Sequence, residues 1–135
     1  MIPNTIKQEQ EISELLSRGY VQESGSNSKG NYIKFSDGTM ICNKTIEGSI
    51  DINISWGSLF VSDNIYLGDT PQTFTDRPVI IVSSHPKTGT QHMVVGNGNS
   101  GNGSENSFGY TAICRPNSRT AVQYVLDVLA IGKWK

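Results

Sequence analysis

Ser107-Phe108-Gly109-Tyr110-Thr111-Ala112-Ile113-Cys114, a polar turn, and then Ala121-Val122-Gln123-Tyr124-Val125-Leu126-Asp127-Val128-Leu129-Ala130-Ile131-Gly132-Lys133-Trp134-Lys135 make up the last quarter of the chain. Both runs are β-prone, and Arg115-Pro116-Asn117-Ser118-Arg119-Thr120 joins them. That arrangement has the form of an antiparallel pair. The second run is the longest apolar segment and reaches the last residue. A terminus tied into a sheet does not fray as most do. This strand is therefore read as the middle of the core.

Working outward, Pro78 introduces Val79-Ile80-Ile81-Val82-Ser83, a continuous apolar run and so a central strand. Gln91-His92-Met93-Val94-Val95 reads as a further strand, and a Gly/Asn loop over 96–104 leads to the closing pair. Upstream, Asp37-Gly38 sits between two β-prone runs, the signal of a two-residue type I′ hairpin. Ser49-Ile50-Asp51-Ile52-Asn53-Ile54 alternates as a half-buried strand does. Turn signals recur about every ten residues, which indicates an all-β antiparallel sandwich. No crossover helices are present to build a parallel sheet.

The front of the chain differs. Residues 5–18 form a helical pattern, with Thr5 and Gln8 as a capping box and Gly19 at the C-terminal glycine position. Ile12, Leu15 and Leu16 share one face, too narrow a stripe for a helix of this length to stand alone in water. It packs on the sheet or on copies of itself as a short coiled coil, although Glu9 falls at a seam position. Glu23-Ser24-Gly25-Ser26-Asn27-Ser28-Lys29-Gly30 has no apolar residue and reads as a flexible linker, which favours self-association. The expected division is a helical stem over 1–22, a linker over 23–30 and a β-sandwich head over 31–135.

Composition narrows the function. The 135 residues suit one domain of ordinary size, with 36% apolar and 17% charged residues and 14 glycines. A net charge of −1 leaves no electrostatic footprint for nucleic acid. No apolar run approaches the ~18 residues of a membrane span. Cys42 and Cys114 read as two buried free thiols rather than a disulfide framework, and no Cys/His cluster has zinc-ligand spacing.

Two stretches carry a resemblance. Gly30-Asn31-Tyr32-Ile33-Lys34-Phe35-Ser36-Asp37-Gly38-Thr39-Met40-Ile41-Cys42 is similar to a segment recurring in bacteriophage tail-fibre and tail-tip proteins. Phe74-Thr75-Asp76-Arg77-Pro78-Val79-Ile80-Ile81-Val82, Phe108 and the closing Leu129-Ala130-Ile131-Gly132-Lys133-Trp134 resemble the C-terminal head of phage tail fibres related to H-type lectins. The resemblance covers residues 30–135. It implies a six- to eight-stranded sandwich, a homotrimer, residence in the virion tail beside other tail proteins, and recognition of the host surface. One position departs: those lectins carry tryptophan where this chain has Leu129, so their sugar contacts do not carry over.

The chemistry is read residue by residue. Ser83-Ser84-His85 offers a serine beside a histidine without a nucleophile elbow, so no catalytic residues are assigned and a glycan hydrolase ranks last. His92 reads as a packed or interface histidine, and neither a metal nor a cofactor is expected. Asp127, inside an apolar strand, must reach solvent or a partner, with Lys133 or a neighbouring subunit's arginine as candidates. Ligand-binding candidates are Trp56, His85, Asn97, Asn99, Arg115, Asn117 and Arg119: an aromatic face for a sugar ring, polar groups for hydroxyls, and guanidinium forks for phosphates. The expectation is non-covalent attachment to a host polysaccharide or teichoic-acid-like polymer. A trimerisation or capping module without its own ligand is the alternative.

Overall fold

The structure, a computed structural model, describes residues 4–87, 94–97 and 103–135. Among these residues one helix, α1 (Asn4–Arg18), precedes nine strands: β1 (Val21–Asn27), β2 (Gly30–Phe35), β3 (Thr39–Trp56), β4 (Leu59–Ser62), β5 (Ile65–Tyr66), β6 (Val79–Pro86), β7 (Val94–Asn97), β8 (Tyr110–Arg115) and β9 (Arg119–Lys133). All pairings are antiparallel and belong to one continuous sheet. The all-β architecture with a short N-terminal helix is the one the sequence predicts.

β9 lies between β3 and β6, in register with β3 from Lys133 opposite Thr39 to Arg119 opposite Ile52. Its even-numbered residues Val122, Tyr124, Leu126, Val128 and Ala130 are buried, facing the core with Met40, Cys42 and Ile52 of β3. Ile65, Leu67, Phe74, Phe108 and Ile113 complete that core from the β5 and β8 side. The period-2 pattern thus places one face of β9 inside. Its central position agrees with the reading of the last strand.

Four readings change. β8 does not pair with β9: β8 takes β4, β5 and β7 as neighbours, while β9 takes β3 and β6. Thr111, Ala112, Ile113 and Cys114 are all buried, so both faces of β8 are covered, whereas β9 buries chiefly its even-numbered face. The two runs over 39–43 and 49–54 are parts of one strand, β3. Residues 23–30 are not a flexible linker: β1 runs from Val21 to Asn27 and pairs along β2. Its seven residues are all exposed, which is why its composition resembles a linker, and backbone hydrogen bonds to β2 hold it. The fourth change is the Asp37-Gly38 hairpin. The Gly38 amide donates to the Phe35 carbonyl, and only Gly38 has positive φ (98°), so the turn is Phe35-Ser36-Asp37-Gly38 and not a two-residue I′ turn.

α1 joins the sheet at this same end. Gly19 lies beside Asp37, and Tyr20 and Ser36 exchange hydrogen bonds. The Trp134 amide donates to the Gly38 carbonyl, and its indole donates to the Phe35 carbonyl at 2.8 Å. Helix, first hairpin and last strand are therefore stitched together at one end of β3. Residues 7–14 of α1 are exposed throughout, Ile12 included, so no strand covers that length of the helix.

Candidate binding end and the outer sheet face

The opposite end of β3 carries most of the candidate residues. Trp56 pairs with Leu59 across the two-residue turn Gly57-Ser58. Gly57 holds a φ of 61°, the form of a type II′ turn with glycine first. Nothing lies within 4 Å of where a Gly57 side chain would stand, so the turn projects into solvent. Trp56 is 61% exposed, and Ile54 and Leu59, which share its face, are exposed as well. Sequence reading singled out the tryptophan and missed these two aliphatic neighbours, because each reads as ordinary strand filling.

Arg115 ends β8 opposite Phe60, which is itself opposite Ser55. Since facing residues share a side of the sheet, Arg115 lies on the reverse of the hairpin from Trp56. Its Nε is buried and has no hydrogen-bond partner among the described residues. Asn117 and Arg119 follow at once, both exposed, with Arg119 beginning β9 opposite Ile52. Trp56, Arg115, Asn117 and Arg119 are thus gathered at one end of the molecule.

His85 and Asn97 stand apart from them. His85 lies opposite Val125, six residues along β9 from Arg119, or roughly 20 Å at strand rise. Asn97 ends β7 at a position opposite Thr111, the far end of β8 from Arg115. Asn99 and His92 lie outside the described residues, as does most of the Gly/Asn loop.

His85 belongs to a polar group on the outer face of β3, β9 and β6. Asp127 faces Thr45 on one side and Ser83 on the other. The Thr45 hydroxyl donates to Asp127 Oδ1 at 2.7 Å, and His85 Nε2 lies 3.1 Å from Oδ2. These two bonds, the Thr45 one foremost, hold the Asp127 carboxyl below its ordinary value. The partner of Asp127 is therefore His85, not Lys133. A second pair, Lys87 with Glu47 at 3.1 Å, lies beside it. Val125, opposite both Glu47 and His85, is buried although it lies on this outer face.

Cys42 and Cys114 are free and buried, as expected, and burial pushes the Cys42 thiol up to about 11. Among the described residues no group of three His, Cys, Asp or Glu could hold a metal ion. No helix among them is long and apolar enough to cross a membrane.

No known sequence family and no curated protein matches the chain. Two solved structures resemble it. One is a Pseudomonas aeruginosa R1 pyocin fibre comprising C-terminal residues, at a TM-score of 0.49 and 12% identity over 82% of this chain. The chain spans 28% of that fibre's length. The other is an N-truncated R1-type pyocin tail fibre, at a TM-score of 0.56 and 9% identity, covering 97% of this chain and 98% of the fibre fragment. At such identity the likeness concerns the backbone alone. From end to end, the chain has the fold of a tail-fibre fragment.

Proposed function

We propose that the chain is the attachment module of a phage-type tail fibre, a homotrimer that binds a host cell-surface polysaccharide or teichoic-acid-like polymer without catalysis. α1 marks the end that joins other tail proteins, and the Trp56 end meets the host. The observation that carries this reading is the combination at that end: a largely exposed indole on one side of the β3–β4 hairpin, Arg115 on its reverse, and Asn117 and Arg119 exposed next to it. An indole takes the apolar side of a sugar ring, and guanidinium and amide groups take hydroxyl or phosphate oxygens. Three sites in one particle add avidity, so each can be weak. The likeness to pyocin tail-fibre fragments supports the setting.

The test is binding of labelled protein to a panel of bacterial cells and their purified wall polymers, before and after polysaccharide removal. Saturable binding that disappears with the polysaccharide, and that W56A/R115A lacks while keeping its fold, is the expected result. Equal binding by W56A/R115A would move the site elsewhere. A folded protein that binds no envelope, its own host's included, is a trimerisation or capping module instead.

A further inference from the structure

The outer face of the sheet carries an apolar ladder that no other part of the described chain covers. Register sets Ile33 opposite Ile41, Ile41 opposite Ile131 and Ile131 opposite Val79. Facing residues share a side, so four β-branched side chains line up across β2, β3, β9 and β6. In the next row on that side Ile81 lies opposite Leu129. Val79 is 65% exposed and Ile81 50%, and Ile33 is exposed too. The interleaved row, Tyr32-Cys42-Ala130-Ile80, faces the core. A one-sided antiparallel sheet usually turns polar residues outward. A contiguous exposed apolar patch marks an interaction surface.

Three observations identify the occupant as further copies of this chain. First, beyond the ladder the Asp127 carboxylate is hydrogen-bonded to Thr45 and His85, and Glu47 is paired with Lys87. Lys133 and Asp127 leave one charge of each sign on this face, which lets a copy meet it in a register that sets opposite charges together. Second, the area fits. Two strands, β3 and β9, over the eleven residues from Thr39 to Ser49, flanked by the eight residues of β6 and the short β2, at roughly 4.8 Å spacing and about 3.3 Å per residue, give a face on the order of 550 Å². Together with the exposed side of α1 that continues it, this approaches the ~800 Å² per partner of a standard interface. Third, the ladder lies at the end where α1 leaves the sheet, and α1 also presents an uncovered apolar residue, Ile12. A helix this short needs a partner to persist in water. Cyclic association of identical chains supplies one for the helix and the sheet together.

We propose that the Ile33-Ile41-Ile131-Val79 ladder with Ile81 and Leu129, continued by α1, is the surface through which copies of the chain associate. It rests on the homotrimer reading above and assigns that assembly a location. The experiment uses the full chain in multi-angle light scattering and sedimentation at micromolar concentration. The wild type and W56A/R115A are expected at the trimer mass, and V79D/I81D at one third of it with an unchanged circular dichroism spectrum. V79K, a single change at the most exposed rung, serves if the double variant does not fold, and is expected to weaken association at least tenfold. A V79D/I81D or V79K that stays fully trimeric overturns the surface but leaves trimer and attachment standing. A monomeric wild type overturns both surface and trimer, and if it still binds cells the attachment reading survives alone.

Discussion

Ala121 is the one non-glycine residue among those described with positive φ, 52°. It sits where the β3–β9 register shifts between Ile50 and Ile52, and Asp51 Oδ1 accepts a hydrogen bond from its amide at 2.8 Å. Left-handed backbone costs an alanine about 1–2 kcal/mol, part of which glycine would return in unfolded-chain entropy. A121G should therefore raise stability by about 0.5–1 kcal/mol in urea denaturation. The opposite case is Gly132, where an added Cβ would stand 2.9 Å from Phe74 Cδ1 and 3.2 Å from Pro78 Cα. Because Pro78 is backbone there and cannot step aside, G132A should lose about 1–3 kcal/mol, measured by the same denaturation. Neither position was legible in the sequence. Alanine signals no turn, and Gly132 is constrained by a contact with residues over fifty positions away. Asp127 was legible as a carboxylate in need of a partner. The identity of that partner was not, since His85 is brought to it only by strand register.

At the scale of elements, strands that bury a face were readable and the fully exposed one was not. β9 announces itself because its buried even positions are Val, Tyr, Leu, Val and Ala. β1 leaves no such trace, being exposed along its whole length. What ties it down is scattered: Gly25, where a Cβ would come within 2.8 Å of the Tyr32 hydroxyl, the Glu23–Lys34 ion pair, and the Asn27 amide donating to the Pro71 carbonyl. Pairing order was equally hidden: β8 and β9 are consecutive and antiparallel-looking, yet β8 pairs with β4, β5 and β7 and β9 with β3 and β6, strands far from each in sequence. The gathering of Trp56, Arg115, Asn117 and Arg119 followed from turns and strand ends that were readable, whereas the separation of His85 depended on where β6 docks along β9. α1 shares little with these strands, since residues 7–14 are exposed. A chain starting at Gly19 should keep its strand spectrum and cooperative thermal transition while losing its helical ellipticity, checked by circular dichroism.

For the whole molecule, acidity is a direct probe of the outer face. The Asp127 carboxyl is held below 3.8 in the folded protein, chiefly by the Thr45 hydroxyl and then by His85. Asp37 is lowered as well, chiefly by the Thr39 amide. A depressed folded pKa contributes stability above the unfolded value, and that stability is lost as pH falls through the folded one. Stability should thus be level toward neutral pH with respect to these groups and decline once pH drops below about 4. D127N should show a shallower decline in urea midpoint against pH, and an equal slope would remove Asp127 from the account.

The long ladder between β3 and β9 has a mechanical consequence. Helix and first hairpin lie at one end of β3 and the Trp56 turn at the other, so tension applied between those ends runs parallel to the strands. Antiparallel rungs lie perpendicular to the strands. Such a load shears the rungs together instead of peeling them one by one. A protein held at its tip and pulled from its helix would then resist by the joint strength of the ladder, and would yield far sooner if the same force were applied across β6 at the sheet's edge.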